Sequence, residues 1–383
     1  MAINNHIKYN FTTRIINITS KFCQFLFRIF THENPYVYFR YSSSRTHPGF
    51  RRFYDDPPIK WTTKKNAKLL HWISYPDFVD DRPFIIEPND HALAAHGWKG
   101  SPIDDSLNLD KLILDSRELY EKKSCKAIVF CSKNNVDIFK AYMPKKLWGK
   151  LVILPSDIGA VAAEFDLTVR KKSSHLKFLC LVSDYDRKGT SLIIEAWKRI
   201  ENKSDSSLTI VCPKFPKSLK TNKFKKLKLI EAGPISENLK RDLYLSHHVA
   251  LCPTILDGGT NIIEAMEYGI PVIASEYHRS DAYMIGDIGY TVQSPYQYYD
   301  TKNYGITWKT IGQYVDIVNT AISNGEYKSV IEEWENYMLI YINDKSLVYS
   351  QGKNFYNLAS SVLSNSRRNS MLRNLYKKIL EKN

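Results

Sequence analysis

The 383 residues predict an α/β fold built on parallel sheets. Short apolar runs alternate with longer amphipathic ones from about residue 66 to 308, the pattern of buried parallel strands covered by helices on both faces. A polar, charged break near 165–175 stops this alternation, which then restarts, so two such units are expected. Hydrophobic residues make up 43% and charged residues 25%, the balance of a folded chain rather than a disordered one.

In the first unit, KLLHWIS, PFIIEP, KAIVFCS and KLVILP read as strands, with helices over 106–124 and 133–143. In the second, LKFLCLVS is a strand and SLIIEAWKRI a helix, because the apolar residues of the latter recur at helical spacing. SLTIVCP and KLKLIEAG are strands, and ENLKRDLYLSHH is a helix. VALCPT and IPVIAS are strands flanking the helix TNIIEAMEYG, and the chain is helical from about 308 to its end. The expected organisation is a basic segment over 1–60, one parallel-sheet domain over 61–165, a second over 166–345, and C-terminal helices over 346–383. No opening strand is recognisable in 1–60.

Several function classes fall away on composition. No stretch approaches the roughly 20 apolar residues that span a bilayer, which rules out a polytopic membrane protein. Six cysteines without a C-x-x-C pair give neither a disulfide scaffold nor a zinc site. Most of them sit inside strand-like runs, as small hydrophobes in a reducing compartment. The N-terminal apolar residues are interrupted and lack a small-residue cleavage site, so a cytoplasmic chain is expected rather than a secreted one.

The formal net charge of +14 is uneven. Residues 1–68 carry 12 Lys/Arg against 3 Asp/Glu, and 212–229 carry seven lysines and no acid. Phe22, Phe25, Leu26, Phe27, Ile29 and Phe30 lie beside Arg14, Lys21 and Arg28, as an interfacial helix requires, although a core-packed helix would show the same spacing. An anionic membrane surface is therefore one candidate partner, with peripheral attachment as the alternative location. Nucleic acid is disfavoured: residues 212–229 interleave only Phe215 and Phe224 with their lysines.

Ligands of open parallel sheets bind beyond the carboxyl ends of the strands, and two loops there carry chemistry. After VALCPT comes Asp257, then Gly258 and Gly259, which let backbone approach a ligand. Thr260 or Asn261 could cap the next helix, whose free N–H groups suit a phosphate. Glu264 lies about one turn in, and a carboxylate beside a phosphate seat can accept two hydrogen bonds from a diol. After LKFLCLVS come Arg187 and Lys188, cations placed to neutralise a departing diphosphate. Asp184-Tyr-Asp186 spells D-x-D, but its place before Arg-Lys-Gly suits a loop or capping role better than a metal site.

The run Pro253–Ser275 resembles the signature of glycosyltransferase family 4, the glycosyl transferases of group 1, a large group of retaining enzymes. The similarity extends over roughly 176–295, with weaker echoes in 83–165. It implies the GT-B architecture: two Rossmann-like domains facing a cleft, with C-terminal helices crossing back. It also implies that Glu264 holds a nucleotide ribose, that Asp257 holds the hydroxyls of the donor sugar, and that Gly258, Gly259, Thr260 and Asn261 face the diphosphate. The loop Gly233–Ile235 would border the base. Two departures stand out. Six residues rather than seven separate the two acids, the first being Asp, and Val182-Ser183 replaces the usual Gly-Arg, leaving Arg187 to supply a guanidinium. In the first half, His91 would face the donor sugar, with Glu87 the second choice.

The resemblance thus implies a retaining glycosyltransferase of polysaccharide biosynthesis that uses a nucleotide-diphosphate sugar, with no metal or other cofactor and a glycan or lipid-linked acceptor. The alternatives are a non-catalytic basic binding protein on the same fold and a sugar-nucleotide epimerase or phosphorylase.

Overall fold

The computed structural model describes residues 37–41, 67–73, 81–88, 109–155, 175–220, 224–233, 235–255, 259–276, 280–296, 299–300, 305–306 and 311–381. Two parallel sheets organise them. The first runs β1 (Val37–Tyr41), β2 (Leu69–Ile73), β3 (Phe84–Glu87), β4 (Cys125–Phe130), β5 (Leu151–Ile153), side by side in chain order, every pair parallel. Helix α1 (Leu109–Glu121) links β3 to β4, and α2 (Lys133–Tyr142) links β4 to β5.

β1 corrects the reading of 1–60, which contained no opening strand. VYFRY is rich in β-branched and aromatic residues, but a five-residue edge strand has only β2 to pair with, Val37 opposite Leu69. That pairing is not visible in a local pattern.

A sheet whose strands follow one another in a single direction sends its right-handed crossovers over the same face. Leu70, Trp72, Phe84, Ile86, Ile128 and Phe130 accordingly pack against Leu119 and Tyr120 of α1 and Val136 and Phe139 of α2. The opposite face, Leu69, Ile85, Ala127 and Val129, would be bare, and the last helix of the chain fills it. Leu372, Tyr376 and Ile379 of that helix, Asn365–Glu381, close this second cluster. Burying the two aliphatic side chains stabilises the contact by about 2 kcal/mol each. The last C-terminal helix therefore does cross back onto the first unit.

The second sheet contains β6 (Leu176–Leu181), β7 (Ser206–Cys212), β8 (Leu227–Glu231), β9 (Val249–Cys252), β10 (Val272–Ser275) and β11 (Gly289–Val292), in the order β11-β10-β9-β6-β7-β8 and all parallel. The strand order reverses between β6 and β9, so the connections diverge there and leave a crevice beyond those two strand ends. Its helices are α3 (Thr190–Ile200), the single turn α4 (Lys217–Lys220), α5 (Glu237–Ser246) and α6 (Thr260–Glu267). After the small antiparallel pair β12 (Tyr299–Asp300) and β13 (Gly305–Ile306) come α7 (Ile311–Ser323), α8 (Lys328–Asn343), α9 (Ser346–Ser360) and α10 (Asn365–Glu381).

Side-chain alternation sorts this sheet's residues cleanly. Phe178, Cys180, Leu208, Ile210 and Leu251 pack with Ile193 and Trp197 of α3 and Trp334 of α8. Leu179, Val211, Ala250, Cys252 and Val272 pack with Ile262 and Met266 of α6 and Phe355 of α9. Among the described residues no helix is long and apolar enough to cross a membrane.

Candidate active site

The loops after β6 and β9, at the reversal point, are in direct contact. Gly189 ends the first of them at φ 61°, a left-handed conformation that glycine adopts without strain. A Cβ there would strike the Pro253 carbonyl and press on Ile255. Asn261, on the first turn of α6, donates its side-chain N–H to the Leu181 carbonyl at the end of β6. Helix α6 is thereby fixed with its N-terminus over the crevice.

The cap of α6 differs from the expectation. Gly259, at φ 113°, occupies the N-cap position and has no side chain with which to cap the helix; Thr260 is its first residue, and Asn261 spends its amide on Leu181. Among the described residues, the first-turn amides of α6 have no side-chain acceptor at the N-cap, the arrangement an anion seat requires. Lys188, immediately before Gly189, is 8% exposed and sits at the same edge. Asp184 accepts a hydrogen bond from the Arg187 backbone N–H at 2.8 Å and so shapes the turn that presents Arg187 and Lys188. Burial, with Asp184 and Asp316 nearby, pushes the Asp186 carboxyl up.

Glu264 is 6% exposed, and both of its oxygens are engaged. Lys240 donates to Oε1 at 2.8 Å and the Tyr244 hydroxyl donates to Oε2 at 3.1 Å. Neither partner is apparent from the signature around Glu264; the only hint is the one-turn spacing of Lys240 and Tyr244 on α5. Burial alone would lower the Lys240 ammonium, but Glu264 and Glu237 together outweigh it and hold the group above its ordinary value. Burial and the Glu264 charge raise Tyr244 far above the phenol range.

Helix α5 opens at Ser236, whose hydroxyl accepts from the Leu239 amide. Just before it, Gly233 is exposed and Ile235 packs on the cluster beneath α6. His247 and His248 are buried and structural: His247 bridges the Leu243 carbonyl and Thr209, and His248 accepts from the Lys177 amide.

Glu87 ends β3 on the first sheet. One guanidinium nitrogen, Nη2 of Arg368 on α10, donates to both of the Glu87 oxygens at 2.7 and 2.8 Å, and His71 lies 3.4 Å away. His71 in turn is 2.5 Å from the Tyr376 hydroxyl. Burial works to raise the Glu87 carboxyl, but Arg368 and His71 overcome it and take it down to about 2. A carboxylate held so low is a poor base at neutral pH, and this geometry gives Glu87 the job of anchoring α10. His91, Asp257 and Gly258 lie outside the described residues.

Residues 176–300 match the family model described as Glycosyl transferases group 1, a span that holds all six strands of the second sheet. No curated protein matches the chain. Among solved structures, the chain is similar to a glycosyltransferase from Rickettsia africae, with 14% identity, 84% of this chain and 79% of that one covered, and a TM-score of 0.51. It is also similar to Anabaena HepE in complex with UDP, with 10% identity, 90% and 100% coverage, and a TM-score of 0.54. HepE in complex with UDP-glucose aligns at 11% identity over 82% and 79%, with a TM-score of 0.51. At these identities the likeness is one of fold, and the fold is GT-B: two parallel-sheet domains with the last C-terminal helix returning to the first.

Proposed function

We propose that this chain is a retaining glycosyltransferase that moves a sugar from a nucleotide-diphosphate sugar to a glycan or lipid-linked acceptor. The observation that carries the reading is the crevice at the β6/β9 reversal, where the loop after β6, with the nearly buried Lys188, touches the loop that leads into α6, whose start has only Gly259 at its N-cap and whose first turns carry the buried Glu264. In this reading Glu264 takes the ribose hydroxyls, and the amides of Gly259, Thr260 and Asn261, after Gly258, face the diphosphate. Lys188 and Arg187 neutralise the leaving group without a metal, since fixed cations and helix amides supply the positive charge that the departing diphosphate needs.

Asp257 and His91 meet the donor sugar, and Gly233 and Ile235 border the base. Front-side attack, with the leaving phosphate taking the acceptor's proton, gives retention without an enzymic nucleophile. The match to Glycosyl transferases group 1 over 176–300 supports the donor half, and the UDP and UDP-glucose held by HepE make uridine sugars the first donors to try. The basic, aromatic N-terminus supports peripheral attachment to an anionic membrane and a role in polysaccharide biosynthesis.

A screen of nucleotide sugars by donor hydrolysis and thermal shift tests this. At least one donor should stabilise the chain and be slowly hydrolysed, and Glu264→Ala should reduce hydrolysis by about 100-fold or more. Wild-type turnover in that variant would sink the assignment.

A further inference from the structure

We infer that Lys240 and Tyr244 are positioning residues that lock the Glu264 carboxylate to receive a vicinal diol, and so set a preference for ribonucleotides over their 2′-deoxy counterparts. The inference rests on the reading of Glu264 as the ribose grip.

Lys240 and Tyr244 are four residues apart on α5, so they share one face of that helix and reach Glu264 as a two-point clamp, one residue per oxygen. The Lys240 side chain is 12% exposed and the Glu264 side chain 8% exposed. Glu237 also accepts from the Lys240 ammonium at 3.2 Å. The Tyr244 ring stacks on Tyr268 at 5.2 Å between centroids, which fixes the hydroxyl that meets Oε2.

A carboxylate offers roughly four acceptor sites. The clamp uses one on each oxygen and leaves one on each, the number a pair of adjacent hydroxyls needs. Without the clamp, a mobile side chain would have to be ordered at the moment of binding. Helix α5 also begins beside Ile235, so the clamp ties the proposed base-bordering loop to the proposed ribose grip.

The test titrates UDP, ADP, GDP and CDP, each against its 2′-deoxy counterpart, into the full-length wild type, Lys240→Met, Lys240→Arg and Tyr244→Phe by calorimetry. The wild type should favour the ribo form of its nucleotide by about tenfold or more, the effect of one hydrogen bond to a charged group. Lys240→Met should cut that preference to about twofold while deoxynucleotide affinity changes by less than about threefold. Lys240→Arg should restore the preference, and Tyr244→Phe, which keeps the ring packing, should reduce it by about threefold. Equal weakening of both nucleotide forms in Lys240→Met would overturn the inference, because it marks a phosphate contact or general damage. So would an undiminished preference in both Lys240→Met and Tyr244→Phe. If Lys240→Met does not fold, Tyr244→Phe and Lys240→Arg decide the question alone. A wild type that binds none of these nucleotides is a separate result and defeats the donor reading itself.

Discussion

The Asp281 carboxylate, beyond β10 of the second sheet, accepts a hydrogen bond from the Ser132 hydroxyl, beyond β4 of the first, at 2.7 Å. Its other oxygen accepts from the backbone amides of Lys133 and Asn134 at 2.9 and 3.2 Å. Ser132 is the N-cap of α2 and already accepts from Asn135 within its own helix. One domain therefore completes the cap of a helix in the other, placing a negative charge where the α2 dipole favours it. The carboxyl edges of the two sheets are fastened together at this point.

Asp281→Ala should destabilise the chain by about 1–2 kcal/mol, the range for losing a cap and its dipole partner. Denaturant unfolding reads this directly. Asp281→Asn should lose less, because its side-chain oxygen can still accept. Equal effects in the two variants would mean that the charge, which both remove, carries the whole contribution and the neutral acceptor none.

The Glu87–Arg368 pair predicts how stability depends on acid. The Glu87 carboxyl lies near 2 when folded, against an ordinary value of 4.5. Its stabilisation is complete above 4.5 and is lost as pH falls through the folded value near 2. Burial also lowers the His71 imidazole from 6.5. Since the unfolded chain takes up that proton first, stability starts to decline below about pH 6.5. Arg368→Ala leaves Glu87 without its guanidinium and should cost about 3–5 kcal/mol, with the acid unfolding midpoint moved upward. An unchanged midpoint would show that the pair is not what resists acid.

Some of this was legible and some was not, for identifiable reasons. Runs such as FLCLV and VALC announce themselves because a strand buried on both faces has to be apolar throughout. The α6 region was legible because its glycines, acids and strand Pro lie within one short stretch. Arg368 reads in the sequence as part of a basic C-terminal tail, yet it is 2% exposed, because its partner Glu87 lies 281 residues earlier. Lys240 and Glu264 meet only through the packing of α5 on α6. Both pairings are tertiary, and neither leaves a periodic trace.

Helix α10 covers a sheet face that no crossover helix can reach, and this sets its contribution to folding. Leu372→Ala should destabilise by about 2–5 kcal/mol, the range for a buried Leu whose site cannot fully collapse. Deleting 365–383 should expose Leu69, Ile85, Ala127 and Val129 together, so the truncated chain should aggregate, which light scattering would detect. A monodisperse truncated protein would mean that something else covers that face.

Gly189→Ala probes the contact that holds the two proposed ligand loops together. A left-handed backbone costs a non-glycine residue about 1 kcal/mol or more, and the added methyl would also run into the Pro253 carbonyl, which is backbone and cannot swing aside. Relief requires the turn carrying Lys188 to move away from the loop that leads into α6. Stability should fall by about 2 kcal/mol or more, and nucleotide affinity should fall with it, because the two halves of the crevice separate. Gly149→Ala is the control: a Cβ there meets nothing within 4 Å, so its melting temperature should match the wild type. Thermal melts with and without nucleotide compare the two. If Gly189→Ala loses stability but binds nucleotide as the wild type does, the turn after β6 is a packing element only, and Lys188 has no part in the phosphate seat.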